Sequence, residues 1–203
     1  EPLTDIVNQM LKRVFDIVFS FLVIVLILSW CFPIIALLIK LSSKGPVLFK
    51  QVRSGLNNEE FICFKFRSMA QNEESDSIQA TKGDARITKI GSFLRKSSLD
   101  ELPQFLNVLI GDMSVVGPRP HMLKHTEEYS ALIGKYMVRQ LVKPGITGVA
   151  QVKGYRGETK ELKDMEGRVR EDVWYIENWS LALDINLIGL TVWNILKGDE
   201  KAF

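Results

Sequence analysis

The sequence has few residues that could form disulfides or bind transition metals. Two of its 203 residues are cysteine and two are histidine. Cys31 and Cys63 have no metal-ligand spacing and no secretory signal before them, so we interpret both as reduced residues in apolar surroundings. His121 and His125 are four residues apart without identifiable further ligands, and this favours a polar-surface role.

Charge and motif content exclude several classes of function. Lys and Arg number 26 against 24 Asp and Glu, a net charge of +2, so phosphate contacts must come from local clusters and nucleic-acid binding is not expected. Walker A, Gly-x-Gly-x-x-Gly, Gly-x-Ser-x-Gly and His-Glu-x-x-His sequences are absent, which removes the usual nucleotide, hydrolase and zinc interpretations. With 46% hydrophobic residues, the chain is nevertheless long enough for one domain with a core.

A long uncharged apolar run lies near the N-terminus. No charged residue occurs from Ile17 to Ile39, and about 23 helical residues would cross a hydrocarbon core of about 30 Å. Pro33 lacks an N–H and predicts a break that would leave two arms too short to span alone. The flanking positive charges give no inside-outside bias, so the residues leave a re-entrant hairpin and a kinked spanning helix both open. These flanking residues are Lys12, Arg13, Lys40, Lys44, Lys50 and Arg53.

The remaining residues predict helices with a few short strands. Strand patterns cover 47–49 and 61–66, a polar surface loop covers 71–82, and three- and four-residue apolar spacing predicts helices within 90–109. Farther along we expect a helix over 129–141, a turn at 143–148, a strand over 149–152, a solvated helix over 158–171, and an apolar helix over 181–196 in the core or on a bilayer.

Several basic residues could together form a phosphate site. Guanidinium groups suit bidentate phosphate binding, and flanking prolines hold a backbone still so that an arginine can be aimed. The candidates are Lys65 and Arg67, Arg95 shortly before an acidic pair, and Arg119 between two prolines.

The acidic pair, Asp100 and Glu101, allows two interpretations. With Ser98 and Leu99 it has the form of a capping box, and helix capping would then be its role. Alternatively, adjacent carboxylates among arginines near a helix N-terminus can divide their work, with one ionised as a nucleophile and the other holding a divalent metal such as Mg²⁺.

Five strings, taken in order, resemble the bacterial sugar transferase family, the monotopic polyprenyl-phosphate phosphoglycosyl transferases. The strings are Gly45-Pro46-Val47-Leu48-Phe49-Lys50-Gln51, Lys65-Phe66-Arg67-Ser68-Met69, Ser98-Leu99-Asp100-Glu101-Leu102-Pro103-Gln104, Gly117-Pro118-Arg119-Pro120 and Lys143-Pro144-Gly145-Ile146-Thr147-Gly148. The resemblance implies an α-dominated α+β fold with interfacial amphipathic helices. Residues 1–41 would form a re-entrant membrane helix-break-helix with Pro33 at the break, and residues 42–203 a compact catalytic domain with short strands on the cytoplasmic face of the bacterial inner membrane.

The resemblance also implies an activity. The family moves a sugar-1-phosphate from a UDP-sugar to a polyprenyl phosphate, usually undecaprenyl phosphate, and releases UMP with the help of Mg²⁺. The string Gly154-Tyr155-Arg156-Gly157-Glu158-Thr159 looks like that of the large members that initiate exopolysaccharide or capsule, several of which use glucose or galactose phosphate. The implied partners are the donor, the acceptor and the bilayer, and a homodimer is compatible with them.

Residue roles follow from the same resemblance. Asp100 would attack the sugar-bearing phosphorus and form an aspartyl-phosphosugar, while Glu101, with Asp100, would help to bind Mg²⁺. The expected phosphate or substrate contacts are Lys65, Arg67, Arg95, Arg119 and Asp184.

Two other functions remain open at this stage. One is an enzyme that transfers the sugar alone and releases UDP. The other is a membrane-anchored scaffold whose arginines bind anionic lipid and whose acidic pair only caps a helix.

Overall fold

Eight α-helices and four short strands occur in the part of the chain that the computed structural model describes, residues 2–70, 84–155, 157 and 161–198. The helices are α1 (Ile6–Val23), α2 (Ser29–Ser42), α3 (Lys89–Lys96), α4 (Gln104–Ile110), α5 (Leu123–Leu132), α6 (Val149–Val152), α7 (Leu162–Glu177) and α8 (Leu181–Lys197). The strands are β1 (Leu48–Ser54), β2 (Glu60–Phe66), β3 (Ser114–Val116) and β4 (Gly145–Thr147). The expected helix-dominated fold with short strands is confirmed.

The apolar run forms one continuous helix. A five-residue π-helical segment, Ile24–Leu28, joins α1 to α2, and the resulting helix of 37 residues is long and apolar enough to cross a membrane. Pro33 lies inside α2, so the helix does not end at the predicted break. The π segment, whose hydrogen bonds span one residue more than those of an α-helix, lies just before Pro33, and both features are points where a helix can bend without ending.

In the first half of this helix, polar side chains face the protein and apolar side chains face outward. Lys12, Asp16 and Ser20, spaced four residues apart, are buried against the rest of the protein, while apolar side chains such as Met10 and Phe21 are exposed. Lys12 Nζ donates to Asp184 Oδ2 at 2.7 Å. Such a helix keeps its polar groups on protein partners and is suited to lipid on its outer side.

Both halves of the helix pack on the same domain. Phe19 of α1 lies against Phe105 of α4, with ring centroids 6.2 Å apart. In α2, Ile35 and Ile39 are buried in a cluster with Phe66 and Leu94.

Two separate two-stranded sheets occur among the described residues. β1 and β2 pair antiparallel, from Leu48 opposite Phe66 to Ser54 opposite Glu60, which confirms the two predicted strand regions. β3 and β4 pair parallel, so the expected turn at 143–148 contains a strand. The expected strand over 149–152 is the helix α6, because Gly148 in extended conformation starts a helical turn whose Val149 and Ala150 side chains are buried.

The other helix predictions have mixed outcomes. The helices within 90–109 and over 181–196 are confirmed by α3, α4 and α8. The helix over 129–141 is wrong in part, because α5 ends at Leu132 and a three-ten helix, Tyr136–Leu141, follows after extended Ile133 and a turn at 134–135. The helix expected over 158–171 appears as α7, which starts later, but its solvated character is wrong because half of its residues are buried. Residues 71–82 and 158–160 lie outside the described residues.

Both cysteines are free thiols. Cys63 is buried in the main core, next to Val108 and Tyr175, and Cys31 of α2 is half-buried beside the second cluster. Their assignment as reduced residues in apolar surroundings is confirmed.

Candidate active site

Asp100 and Glu101 lie in a short turn between two helices. After α3 ends, Ser98 adopts a left-handed conformation with φ of 58°, and a three-ten turn, Leu99–Glu101, follows. The capping-box interpretation is wrong, because the Ser98 side chain makes no capping hydrogen bond and α4 begins only at Gln104. Both acidic residues are 7% exposed, so their charges need compensation from neighbouring groups.

Two cations from distant parts of the chain compensate Glu101. Lys65 Nζ on β2 and Arg119 Nη2 both donate to Glu101 Oε1, at 2.9 and 2.8 Å. Burial acts to lower the pKa of Arg119, but the charge and hydrogen bond of Glu101 and the charge of Asp100 outweigh it and raise that pKa. Arg119 therefore stays a cation beside the acidic pair.

Arg95 brings a third cation to Asp100. It lies in the last turn of α3, where its Nε donates to Ser68 Oγ at 2.8 Å and its Nη2 contacts Met69 Sδ at 3.2 Å. Burial lowers the pKa of Arg95, and the negative charge of Asp100 is the largest opposing influence. Lys65, Arg95 and Arg119 thus lie near the two carboxylates, and Asp84 is a further negative charge that acts on Arg95.

The loop that carries Arg119 is fixed to β4 through its backbone. Gly117 N–H donates to Thr147 O at 2.8 Å, and Gly145 N–H donates to Pro118 O at 2.9 Å. A Cβ atom on Gly145 would lie 2.1 Å from Gly117 N, so only glycine permits this approach. This contact joins the Gly117–Pro120 string to the Lys143–Gly148 string.

A buried network of polar side chains also binds the loop that carries Arg119. Arg139 of the three-ten helix Tyr136–Leu141 donates to Arg119 O and to Asp172 of α7. His121 is buried in this network, so its interpretation as a polar-surface residue is wrong. Burial, followed by the charges of Arg139 and Arg168, lowers the pKa of His121 well below 6.5.

The residues of this network could not be recognised from the sequence. Arg168 and Asp172 stand four residues apart in a charged stretch, which is the usual pattern of a solvated helix face. Both are buried in the structure, so spacing alone gave no usable signal for Arg139, Asp172 or Arg168.

Two candidate substrate residues lie apart from this cluster. Arg67 Nη1 and Nη2 donate to the backbone carbonyls of Lys44 and Ser43, both at 2.7 Å, and hold the chain where α2 ends. Asp184 of α8 is fully buried and accepts hydrogen bonds from Lys12, Tyr175 and Trp179. The structure therefore places Arg67 and Asp184 in contacts that join elements, and brings only Lys65, Arg95 and Arg119 to the acidic pair.

Residues 7–198 match the family model described as bacterial sugar transferase. The chain belongs to this family.

Curated relatives in this family have named activities. The chain is 54% identical, over 94% of its length, to a UDP-glucose:undecaprenyl-phosphate glucose-1-phosphate transferase of Klebsiella pneumoniae, of which it covers 41%. It is 45% identical, over 98% of its length, to a protein of the same name from Caulobacter vibrioides, of which it covers 74%. It is also 45% identical to an exopolysaccharide production protein of Rhizobium leguminosarum bv. phaseoli, over 91% of this chain and 94% of that relative. The chain thus spans about two fifths of the length of the Klebsiella transferase.

Proposed function

We propose that this sugar transferase moves a sugar-1-phosphate from a UDP-sugar to undecaprenyl phosphate and releases UMP, as a first membrane step in exopolysaccharide synthesis. The observation that carries the proposal is the buried acidic pair surrounded by Lys65, Arg95 and Arg119. The names of the relatives supply the substrate classes, and glucose is the sugar that the Klebsiella and Caulobacter names contain.

Asp100 is the proposed nucleophile. In the first step, a carboxylate oxygen of Asp100 attacks the sugar-bearing phosphorus, the bond between that phosphorus and the bridging oxygen breaks, and UMP leaves with the bond's electron pair. In the second step, a phosphate oxygen of undecaprenyl phosphate attacks the same phosphorus, and the Asp100 carboxylate leaves. Two bulky substrates can then use one pocket in turn.

Arg95 and Arg119 are the proposed contacts to the donor phosphates. Arg95, in the last turn of α3, feels the charge of Asp100, and Arg119 donates to Glu101 from a loop fixed by β4. Guanidinium groups near the nucleophile can stabilise the negative charge that spreads over the phosphoryl oxygens during transfer. Lys65 orients Glu101 and adds to the same positive field.

The acidic pair is the proposed site for a magnesium ion. Within the described residues, no group of three or more His, Cys, Asp or Glu side chains is arranged to hold a metal. Glu101, with Asp100 as a second candidate ligand, would supply carboxylate oxygens, and Mg²⁺ commonly completes its shell with substrate phosphates and water. When bound, Mg²⁺ neutralises charge on the departing phosphate.

Membrane association is proposed to be monotopic, with residues 1–41 re-entrant and residues 42–203 on the cytoplasmic face of the inner membrane. Leu3, before the long helix, and Ile39, near its end, are both buried against the domain. About 36 residues separate them, roughly 54 Å of straight helix, so a spanning helix would carry the domain with it into the hydrocarbon.

An exposed apolar face on α8 supports a position at the bilayer surface. Ile185, Val192, Trp193 and Leu196 lie on one side of that helix and are 55%, 52%, 64% and 77% exposed. An exposed tryptophan among aliphatic residues is typical of helices at the membrane–water interface.

A nucleotide-release assay tests the proposed reaction. The purified chain in lipid particles is incubated with undecaprenyl phosphate, Mg²⁺ and a panel of UDP-sugars, including glucose, galactose and N-acetylgalactosamine. We expect UMP as the nucleotide product and UDP-glucose as a good donor. Asp100→Asn should abolish UMP release, and Asp112→Asn, near the C-terminal end of α4, is the matched control that should retain it. Release of UDP in place of UMP would refute the proposal.

A further inference from the structure

The loop that carries Arg119 is bound by the side chain of Arg139, which contacts neither Asp100 nor Glu101. We propose that Arg139 is a positioning residue that sets the aim of Arg119 through the main chain of Arg119. This inference rests on the proposed function, because its effect is read in the rate of sugar-phosphate transfer.

The guanidinium of Arg139 contacts three residues, two on the Arg119 loop and one on α7. Its Nη2 donates to Arg119 O at 2.9 Å, and its Nε and Nη2 donate to Asp172 Oδ2 at 3.0 and 2.7 Å. Its Nη1 lies 2.6 Å from His121 Nδ1, two residues beyond Arg119. The other ring nitrogen of His121, Nε2, lies 3.3 Å from Arg168 Nη1, so two guanidinium groups face the ring.

These contacts make a continuous chain from α7 to the acidic pair. Asp172, on a helix whose Met165, Val169 and Val173 are buried, binds Arg139. Arg139 binds the carbonyl of Arg119, and the Arg119 side chain binds Glu101. The two bonds between Gly117–Pro118 and Gly145–Thr147 fix the loop just before Arg119, whereas Arg139 fixes the carbonyl of Arg119 itself.

The cost of this arrangement argues for a positioning role. Arg139 and Asp172 are 4% and 2% exposed, and a buried ion pair often contributes less to stability than a well-packed apolar pair of similar size. What the planar guanidinium supplies, and an apolar pair cannot, is a set of fixed donor directions. One of these donors binds the backbone carbonyl of Arg119, whose side chain binds Glu101.

Arg139→Lys would keep the positive charge but lose the planar guanidinium with its fixed donor directions. A single ammonium group on a flexible stem cannot hold Asp172, His121 and the Arg119 carbonyl in one fixed geometry. Outer-shell partners that orient metal ligands typically cost about 10- to 100-fold in affinity or activity when replaced, and we take the lower end of that range for Arg139. We therefore expect Arg139→Lys to lower kcat/KM for the UDP-sugar by about 10-fold.

A double-mutant cycle tests whether the effect passes through Arg119. Arg139→Lys is measured in the wild-type chain and in the Arg119→Lys variant, which retains a cation at position 119 but no guanidinium. Arg170→Lys, on the exposed side of α7, is the matched control. We expect about a 10-fold loss in the first background, less than about a 2-fold further loss in the second, and no loss for the control. Thermal melting of each variant records the folded fraction, and Asp172→Asn replaces Arg139→Lys in the same cycle if the latter does not fold.

The outcomes separate this inference from the proposed function. Equal losses from Arg139→Lys in both backgrounds would show a general structural role and overturn the inference, as would unchanged kcat/KM in the wild-type background. Absence of UMP release from the wild-type chain would instead refute the proposed function.

Discussion

At the scale of single residues, the acidic pair combines burial with local backbone strain. Asp100 and Glu101 are buried, and three cations surround them. The turn that presents them begins at Ser98, whose φ of 58° is uncommon for a residue other than glycine. Strained residues of this kind often occur where a fold holds functional groups in place.

Substitution of Ser98 tests the importance of that turn. Ser98→Val should lower the stability of the folded chain by about 1–2 kcal/mol and reduce UMP release, because a β-branched side chain fits poorly at this φ. Ser98→Gly is the control, since glycine adopts the same φ without strain, and it should keep both the melting temperature and the activity. Equal melting temperatures for the two variants would contradict the described backbone.

His121 predicts a pH dependence of stability. Burial and the charges of Arg139 and Arg168 hold its pKa in the folded chain well below 6.5, so the unfolded chain binds a proton more readily. This contribution to stability is present above about pH 6.5 and is lost as the pH falls below that value. The melting temperature should therefore fall between pH 7 and pH 5.

Histidine variants identify the source of that slope. His121→Asn should make the dependence on pH shallower, and His125→Asn should have a smaller effect, because His125 is only half-buried and its pKa is lowered less. An unchanged slope in the His121 variant would contradict the neutral buried ring.

At the scale of elements, the site depends on close backbone contacts. α3 carries Arg95 and rests on Ser68, which follows β2, at a point where a Cβ atom on Gly91 would lie 1.8 Å from Ser68 O. The β3–β4 pair holds the Arg119 loop through contacts of the same kind at Gly117 and Gly145.

Gly91→Ala tests the placement of α3. We expect the helix to be displaced from Ser68, which moves Arg95 away from Asp100, so UMP release should fall together with the melting temperature. Gly189→Ala is the matched control, because Gly189 lies in the middle of α8 with open space around its Cβ position. Alanine there should keep or slightly raise stability, by up to about 1 kcal/mol. A Gly91→Ala variant that behaves like this control would contradict the contact.

Sequence patterns predicted part of these elements. The strands β1 and β2 and the helix α8 followed from their apolar patterns, the ordered motifs located the acidic pair with Lys65 and Arg119, and Arg95 was found by its position shortly before that pair. Charge alone does not show whether an arginine binds a ligand or a backbone carbonyl, so Arg67 could not be distinguished from Arg119. The π segment that precedes Pro33 could not be predicted, because no residue type in Ile24–Leu28 signals it.

At the scale of the whole molecule, the long N-terminal helix is attached to the domain at both ends. Lys12 and Asp16 bind partners in α8 and β3, and Ile35 and Ile39 pack beside α3. Its apolar side chains face outward along most of its length. This arrangement suits a protein that enters one leaflet and holds its active site at the surface, where a soluble donor and a lipid acceptor can meet.

Thiol labelling tests this topology. In a chain with Cys31 and Cys63 changed to alanine, single cysteines are introduced at Thr4, before the helix, and at Lys135, on the domain surface; both positions are exposed. A membrane-impermeant maleimide should label both positions in inside-out vesicles and neither in right-side-out vesicles. Labelling of the two positions from opposite sides would show a spanning helix and contradict the proposed re-entrant arrangement.

Mass spectrometry of the chain after incubation with donor alone tests the central claim most directly. Without undecaprenyl phosphate, the first step should release one UMP and leave the sugar phosphate on the enzyme. We predict a mass increase of one hexose phosphate on the peptide that contains Asp100, and none in Asp100→Asn. An unmodified Asp100 peptide, under conditions in which the complete reaction still forms product, would contradict the covalent mechanism.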